Sequence, residues 1–124
     1  MQILSMIFVA LVAIEHIYIL VLEMFQWMQP RTMKTFGIAP EHAEIMKTMA
    51  ANQGLYNGFL AAGLLYSLIA SLPEVAFQFK IFFLLCVVVA GIYGGMTVKP
   101  RIALVQALPA AIALVITVIA GVNL

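Results

Sequence analysis

The sequence predicts an all-α protein, an integral membrane up-and-down four-helix bundle forming a single domain over residues 1–124. Three observations predict it: 65% of the residues are hydrophobic, only 9% are charged, and the apolar stretches have spanning length with proline-bearing punctuation between them. A soluble domain carries roughly 45–50% apolar and about 25% charged residues. A chain this poor in polar side chains cannot cover its surface against water, and its mean hydropathy of +1.14 agrees. A net charge of +1 with six Lys and Arg residues supplies no basic patch to displace phosphate counterions, so no nucleic acid is expected as a partner. Cys86 is the single cysteine. It excludes an intrachain disulfide or a thiolate cluster and reads as a small buried hydrophobe within FFLLCVVVAG.

A spanning helix needs about 20 mostly apolar residues. The first predicted span runs from about Ile3 to Phe25. It has no basic leader region or small-residue cleavage site, and it carries Glu15, His16 and Glu23, so it reads as a retained helix rather than a secretory signal. Gln29-Pro30-Arg31-Thr32 stops it, because proline lacks an N–H and drives its predecessor out of the helical region. Ala39-Pro40-Glu41 restarts helix with a proline and an acid in the first turn, ahead of a second span from about Thr48 to Ile69. Ser71-Leu72-Pro73-Glu74 has capping-box spacing before a third span from about Val75 to Thr97. Lys99-Pro100-Arg101 makes a very short turn into a fourth, about Ile102 to Val122, where Pro109 is expected to kink the helix rather than break it. Such short loops make consecutive helices antiparallel neighbours.

Orientation follows from the basic residues. Arg31, Lys34 and Lys47 flank the first loop and Lys99 and Arg101 the third, whereas the opposite side holds only Lys80. The positive-inside rule places loops one and three in the cytoplasm and both termini outside.

Ionisable groups inside a membrane are costly and by default mark a functional site. At about 100° per residue, His16, Glu23 and Trp27 fall within about 40° of one another on the first helix, with Glu15 and Gln26 on an adjoining stripe. The second helix presents Asn52, Gln53, Tyr56 and Asn57 on one arc. Equal depth in antiparallel helices pairs Glu23 with the region of Ala50 and His16 with that of Asn57. The same carboxylate could instead be packing glue, bridged to Lys47 or hydrogen-bonded to Asn52 and Gln53. His42 sits in a loop shoulder and reads as solvated. Ala50, Gly54, Gly58 and Ala62, with Gly91 and Gly95 on the third helix, form small-xxx-small faces that let backbones approach closely, in one chain or between two copies. The outer halves of the spans contribute only Ser5, Tyr66, Ser67, Gln78, Lys80 and Thr117 as polar groups. That asymmetry favours a one-sided, cytosol-facing site over a path open to both faces.

The run Glu15-His16-Ile17-Tyr18, then Leu22-Glu23-Met24-Phe25-Gln26-Trp27, Pro30-Arg31, Phe36-Gly37 and Lys47-Thr48-Met49-Ala50-Ala51-Asn52-Gln53-Gly54-Leu55-Tyr56-Asn57-Gly58 resembles the domain of unknown function 1304 family of small four-helix bacterial membrane proteins. The resemblance covers nearly the whole chain and implies a bacterial cytoplasmic (inner) membrane location, with no agreed activity. Four spans and an acid midway along the first helix are also similar to the small multidrug resistance transporters, where Glu15 would take the place of the proton-exchanging glutamate; the rest of the chain departs from that pattern. The membrane-associated eicosanoid and glutathione metabolism proteins share four helices and a polar cytosolic half, but their arginine-rich second-helix motif is missing here.

The leading functional expectation is a cytosol-facing intramembrane site for a small amphipathic molecule such as a lipid, an isoprenoid or a quinone-like compound. Glu23, or Glu15 with His16, would be the acid/base group. Asn52, Gln53, Tyr56 and Asn57 would orient the polar head, Trp27 would bound the site, and Arg31 with Lys47 would attract an anionic head. Whether the chain catalyses a reaction stays open. Two other readings stand beside it: a proton-coupled transporter acting as a dimer, and a structural or assembly subunit. Expected partners are the lipid bilayer, the amphipathic ligand and a second copy of the chain. No cofactor is expected, and no metal, since His16 and Glu23 alone fall short of a ligand set.

Overall fold

The computed structural model describes residues 1–122; Asn123 and Leu124, the end of the predicted single domain, lie outside the described residues. In chain order the helices are α1 (Gln2–Met24), α2 (Pro30–Phe36), α3 (Pro40–Ile69), α4 (Pro73–Thr97) and α5 (Pro100–Ile102), then a π-helical turn (Ala103–Ala107) and α6 (Leu108–Ala120). Among the described residues there is no strand. Three helical runs are long and apolar enough to cross a membrane: Gln2–Met24, Pro73–Thr97 and Pro100–Ala120. They match the first, third and fourth predicted spans to within a few residues. The second predicted span is the later part of α3, a 30-residue helix whose amides Asn52, Gln53 and Asn57 lower its apolar character.

The first loop differs from expectation in two ways. Helix α1 ends at Met24, before the proline thought to stop it. Pro30 starts the short helix α2, at the first helical position, where its missing N–H costs nothing. Helix α2 stops at Gly37, whose φ of 67° is left-handed. Ile38 N–H then reaches back to Met33 O at 2.9 Å, closing a Schellman turn that glycine adopts without steric cost. The capping box expected at Ser71 does not form. The N-cap of α4 is Leu72, with no side-chain cap, and Pro73 follows as the first helical residue; the proline fixes the start one position later than the serine would.

Pro109 neither breaks nor ends its helix. Leu108 N–H donates to Ala103 O across the π turn, so the ladder widens just ahead of the proline. There the ring would otherwise press on the carbonyl four residues earlier.

The chain forms two compact units. One comprises Met1–Ile14 and the chain from Leu60 onward; the other is Glu15–Phe59. The first unit is built on a buried core of Val9, Val12 and Ala13 from α1, Leu64 from α3, Leu84 and Val87 from α4, and Ala110 and Ala113 from α6. Small residues let the backbones close up there. A Cβ added at Gly91 would stand 2.6 Å from the Ala107 backbone nitrogen, and one at Gly95 2.6 Å from Ala103 Cβ. The second unit has a smaller core, Trp27, Ala43 and Ala50, with Met28, Met33, Phe36 and Ile38 packed around it. Trp27 is 6% exposed, its ring lies 5.2 Å from that of Phe36, and its Nε1–H donates to Ala43 O at 2.9 Å. The small-residue face of α3 is used within this unit: Gly54 lies against Met24, Glu23 and Leu20, and Gly58 against Leu20.

Candidate functional site

Glu23 and Asn57 form the polar contact between α1 and α3. Asn57 Nδ2 donates to Glu23 Oε1 at 2.7 Å, and the pair is part-buried. The contact exists because Gly54 and Gly58, one helical turn apart, carry no side chain to hold α1 away; a Cβ at Gly54 would stand 3.1 Å from Glu23 Cβ. Depth alone pairs Glu23 with Ala50, and the structure corrects that register. Helical side chains tilt toward the N-terminus of their own helix, which in an antiparallel pair points Glu23 toward later residues of α3. Ala50 instead lies in the small core with Trp27.

About two turns earlier on α1, His16 is 1% exposed, and its Nδ1 stands 3.9 Å from Glu15 Oε1. That Glu15 oxygen is buried and has no hydrogen-bond partner among the described residues.

The remaining predicted site residues do not converge on this pair. Asn52 is exposed and turns its amide back onto its own helix, donating to Thr48 O at 3.2 Å. Gln53 is exposed. Tyr56 is exposed and meets Phe59 edge to face at 5.7 Å. Arg31 on α2 and Lys47 on α3 are exposed, and no ion pair joins Lys47 to Glu23 among the described residues. Trp27 lies beyond the end of α1, so the helical projection that grouped it with His16 and Glu23 does not apply, and its ring nitrogen is committed to Ala43. His42 is exposed, as expected, but lies in the first turn of α3 rather than in a loop. Among the described residues no three His, Cys, Asp or Glu side chains come together as a metal would need.

A second polar cluster lies in the other unit, among residues the sequence offers only as scattered polar groups of the outer halves. Ser5 Oγ and Thr117 Oγ1 are 2.7 Å apart and buried. Gln2 Nε2 donates to Ala120 O at 3.0 Å and Gly121 O at 2.9 Å, and Ser67 donates to Leu64 O. The partners of Ser5 and Gln2 lie more than a hundred positions away in sequence, and only the fold brings them together.

Comparison with known proteins agrees with the family resemblance and adds no activity. No solved structure matches the chain. An uncharacterised protein of Lactococcus lactis subsp. lactis (strain IL1403), YpaA, is 32% identical over 117 residues, covering 93% of this chain and 97% of the relative. The family model for a protein of unknown function (DUF1304) matches residues 10–118, a stretch that contains Glu15, His16, Glu23 and Asn57. The chain belongs to the DUF1304 family.

Proposed function

We propose that this is a multi-pass protein of the bacterial cytoplasmic membrane, with α3 as a fourth span completing an up-and-down bundle. In this reading both termini lie outside, and the Glu23–Asn57 pair is the polar end of a cytosol-facing site for a small amphipathic molecule, a lipid, isoprenoid or quinone-like compound. The observation that carries the reading is the pair itself. A half-buried carboxylate between two helices uses one oxygen for Asn57, while its other oxygen has no hydrogen bond among the described residues. An acceptor held at that depth binds a hydroxyl or protonated head group, and in a low-dielectric setting such a hydrogen bond is strong. Glu23 is the acid/base candidate and Asn57 its positioning residue. Arg31 and Lys47, both exposed, steer an anionic head, and Asn52, Gln53 and Tyr56 line the approach along the exposed face of α3. A thermal-shift panel with a short-chain quinone, a prenyl alcohol and a fatty acid tests this. At least one probe raises the melting temperature of the parent chain and fails to raise that of Glu23→Gln; a panel in which none does so contradicts the reading.

A second reading rests on Glu15, whose buried oxygen lacks a hydrogen bond among the described residues beside His16. A carboxyl group so placed suits a proton-coupled carrier. That reading requires pH-driven uptake by proteoliposomes that Glu15→Gln abolishes, and no flux across a broad cation and acid panel would sink it.

A further inference from the structure

We propose that the cleft formed by the start of α1, the α3–α4 turn and the start of α4 is a binding site for an anionic phosphate group, with Lys80 as its charge partner. The cleft has a volume of about 210 Å³ and is lined by Gln2, Ser67, Ser71, Pro73, Phe77 and Lys80 among others. That is about seven times the volume share of one liquid water, enough for a small head group. All of it lies within one compact unit.

Lys80 is the first argument. It is 7% exposed, lies on a helix apolar enough to cross a membrane, and its ammonium has neither ion pair nor hydrogen bond among the described residues. A cation on such a helix is retained where it meets an opposite charge or a water-filled cavity. The start of α4 is the second argument. The first-turn amides of this 25-residue helix have no side-chain cap, and Pro73, Ala76 and Phe77 of its first turns line the cleft. The positive end of the helix dipole therefore lies beside the same space as the ammonium. The third argument is Gln2. Its amide donates to Ala120 O and Gly121 O, covering carbonyls at the end of α6 that would otherwise repel an anion; α3 also ends at the cleft, at Ile69. Glu74 is exposed and does not line the cleft. Beyond the polar residues the wall continues as Met6 and Leu68, which suits an acyl chain and makes a lipid head group one source of the phosphate; free phosphate is the other.

The test uses the full chain purified in a non-ionic detergent and titrated with phosphatidylglycerol, phosphatidylcholine and inorganic phosphate, with native mass spectrometry as readout. The parent chain binds phosphatidylglycerol about tenfold or more tighter than zwitterionic phosphatidylcholine, Lys80→Gln loses that preference, and Lys80→Arg keeps it. Competition by inorganic phosphate shows that the anion alone suffices; its failure shows that the lipid tail is required. A second measurement needs no variant. Phosphatidylglycerol slows acetylation of Lys80 in the parent chain while leaving Lys34, Lys47 and Lys99, all exposed, unaffected. Equal affinity for the two lipids, a preference that survives Lys80→Gln, or an unchanged acetylation rate overturns the proposal.

Discussion

The two compact units use small residues for different ends. In the unit of Met1–Ile14 and the chain from Leu60 onward, Gly91 and Gly95 bring α4 against the π turn, where they meet Ala107 and Ala103. In Glu15–Phe59, Gly54 and Gly58 bring α3 against side chains of α1, and the result is a carboxylate–amide contact, Glu23 with Asn57. The same local device, a glycine at every fourth position, gives tight apolar packing in one unit and a half-buried polar pair in the other. The difference lies in what the facing helix carries: Ala103 and Ala107 in one case, Leu20, Glu23 and Met24 in the other.

This contrast can be broken most sharply at Gly91. A methyl group there meets the Ala107 nitrogen at 2.6 Å and its Cα at 2.9 Å, so the backbones must move apart. Gly91→Ala is expected to destabilise by about 3 kcal/mol, the upper part of the overpacking range, measured as a lowered melting temperature in detergent. An intermediate effect is expected from Trp27→Phe, which keeps the packing on Phe36 but removes the donor to Ala43 O. A lost hydrogen bond of this kind costs about 1 kcal/mol. The smallest effect is expected at Gly58. A Cβ there meets only Leu20 Cδ1 closely, at 2.6 Å, the far end of a flexible side chain. The gain in helix propensity of about 1 kcal/mol for Gly→Ala offsets the repacking, and Gly58→Ala should melt within a degree or two of the parent. If Gly58→Ala proved as damaging as Gly91→Ala, the distinction between backbone and side-chain contacts would be lost.

Helix existence and type were legible in the sequence because apolar runs of spanning length and proline punctuation are one-dimensional signals. Three runs of the structure coincide with predicted spans. The ends were less legible, since Pro30 and Ser71 each permit two local solutions. Proline can stop one helix or start the next, and a serine caps only if the chain enters the helix at that residue. Of the candidate site, Glu23 and Asn57 were both singled out, but as members of broad arcs. Periodicity gives the face of a helix and not the axial offset between two helices, so it joined Glu23 to Ala50 and left Asn52, Gln53 and Tyr56 equivalent to Asn57. The cluster of Ser5, Thr117, Gln2 and Ser67 was illegible for a different reason. Its members lie on α1, α3 and α6, and no spacing rule connects them.

The central claim is that Glu23 and Asn57 hold a ligand rather than merely joining two helices. The most direct measurement is mass spectrometry of the apolar small molecules extracted from the purified full chain, compared among the parent, Glu23→Gln and Asn57→Ala, with melting temperatures taken on the same samples. The account predicts a defined amphiphile retained by the parent and reduced about fivefold or more in both variants, as expected for the loss of about 1 kcal/mol of binding, with both variants still folded. Equal amounts in all three chains, or no retained amphiphile in the parent, would contradict it.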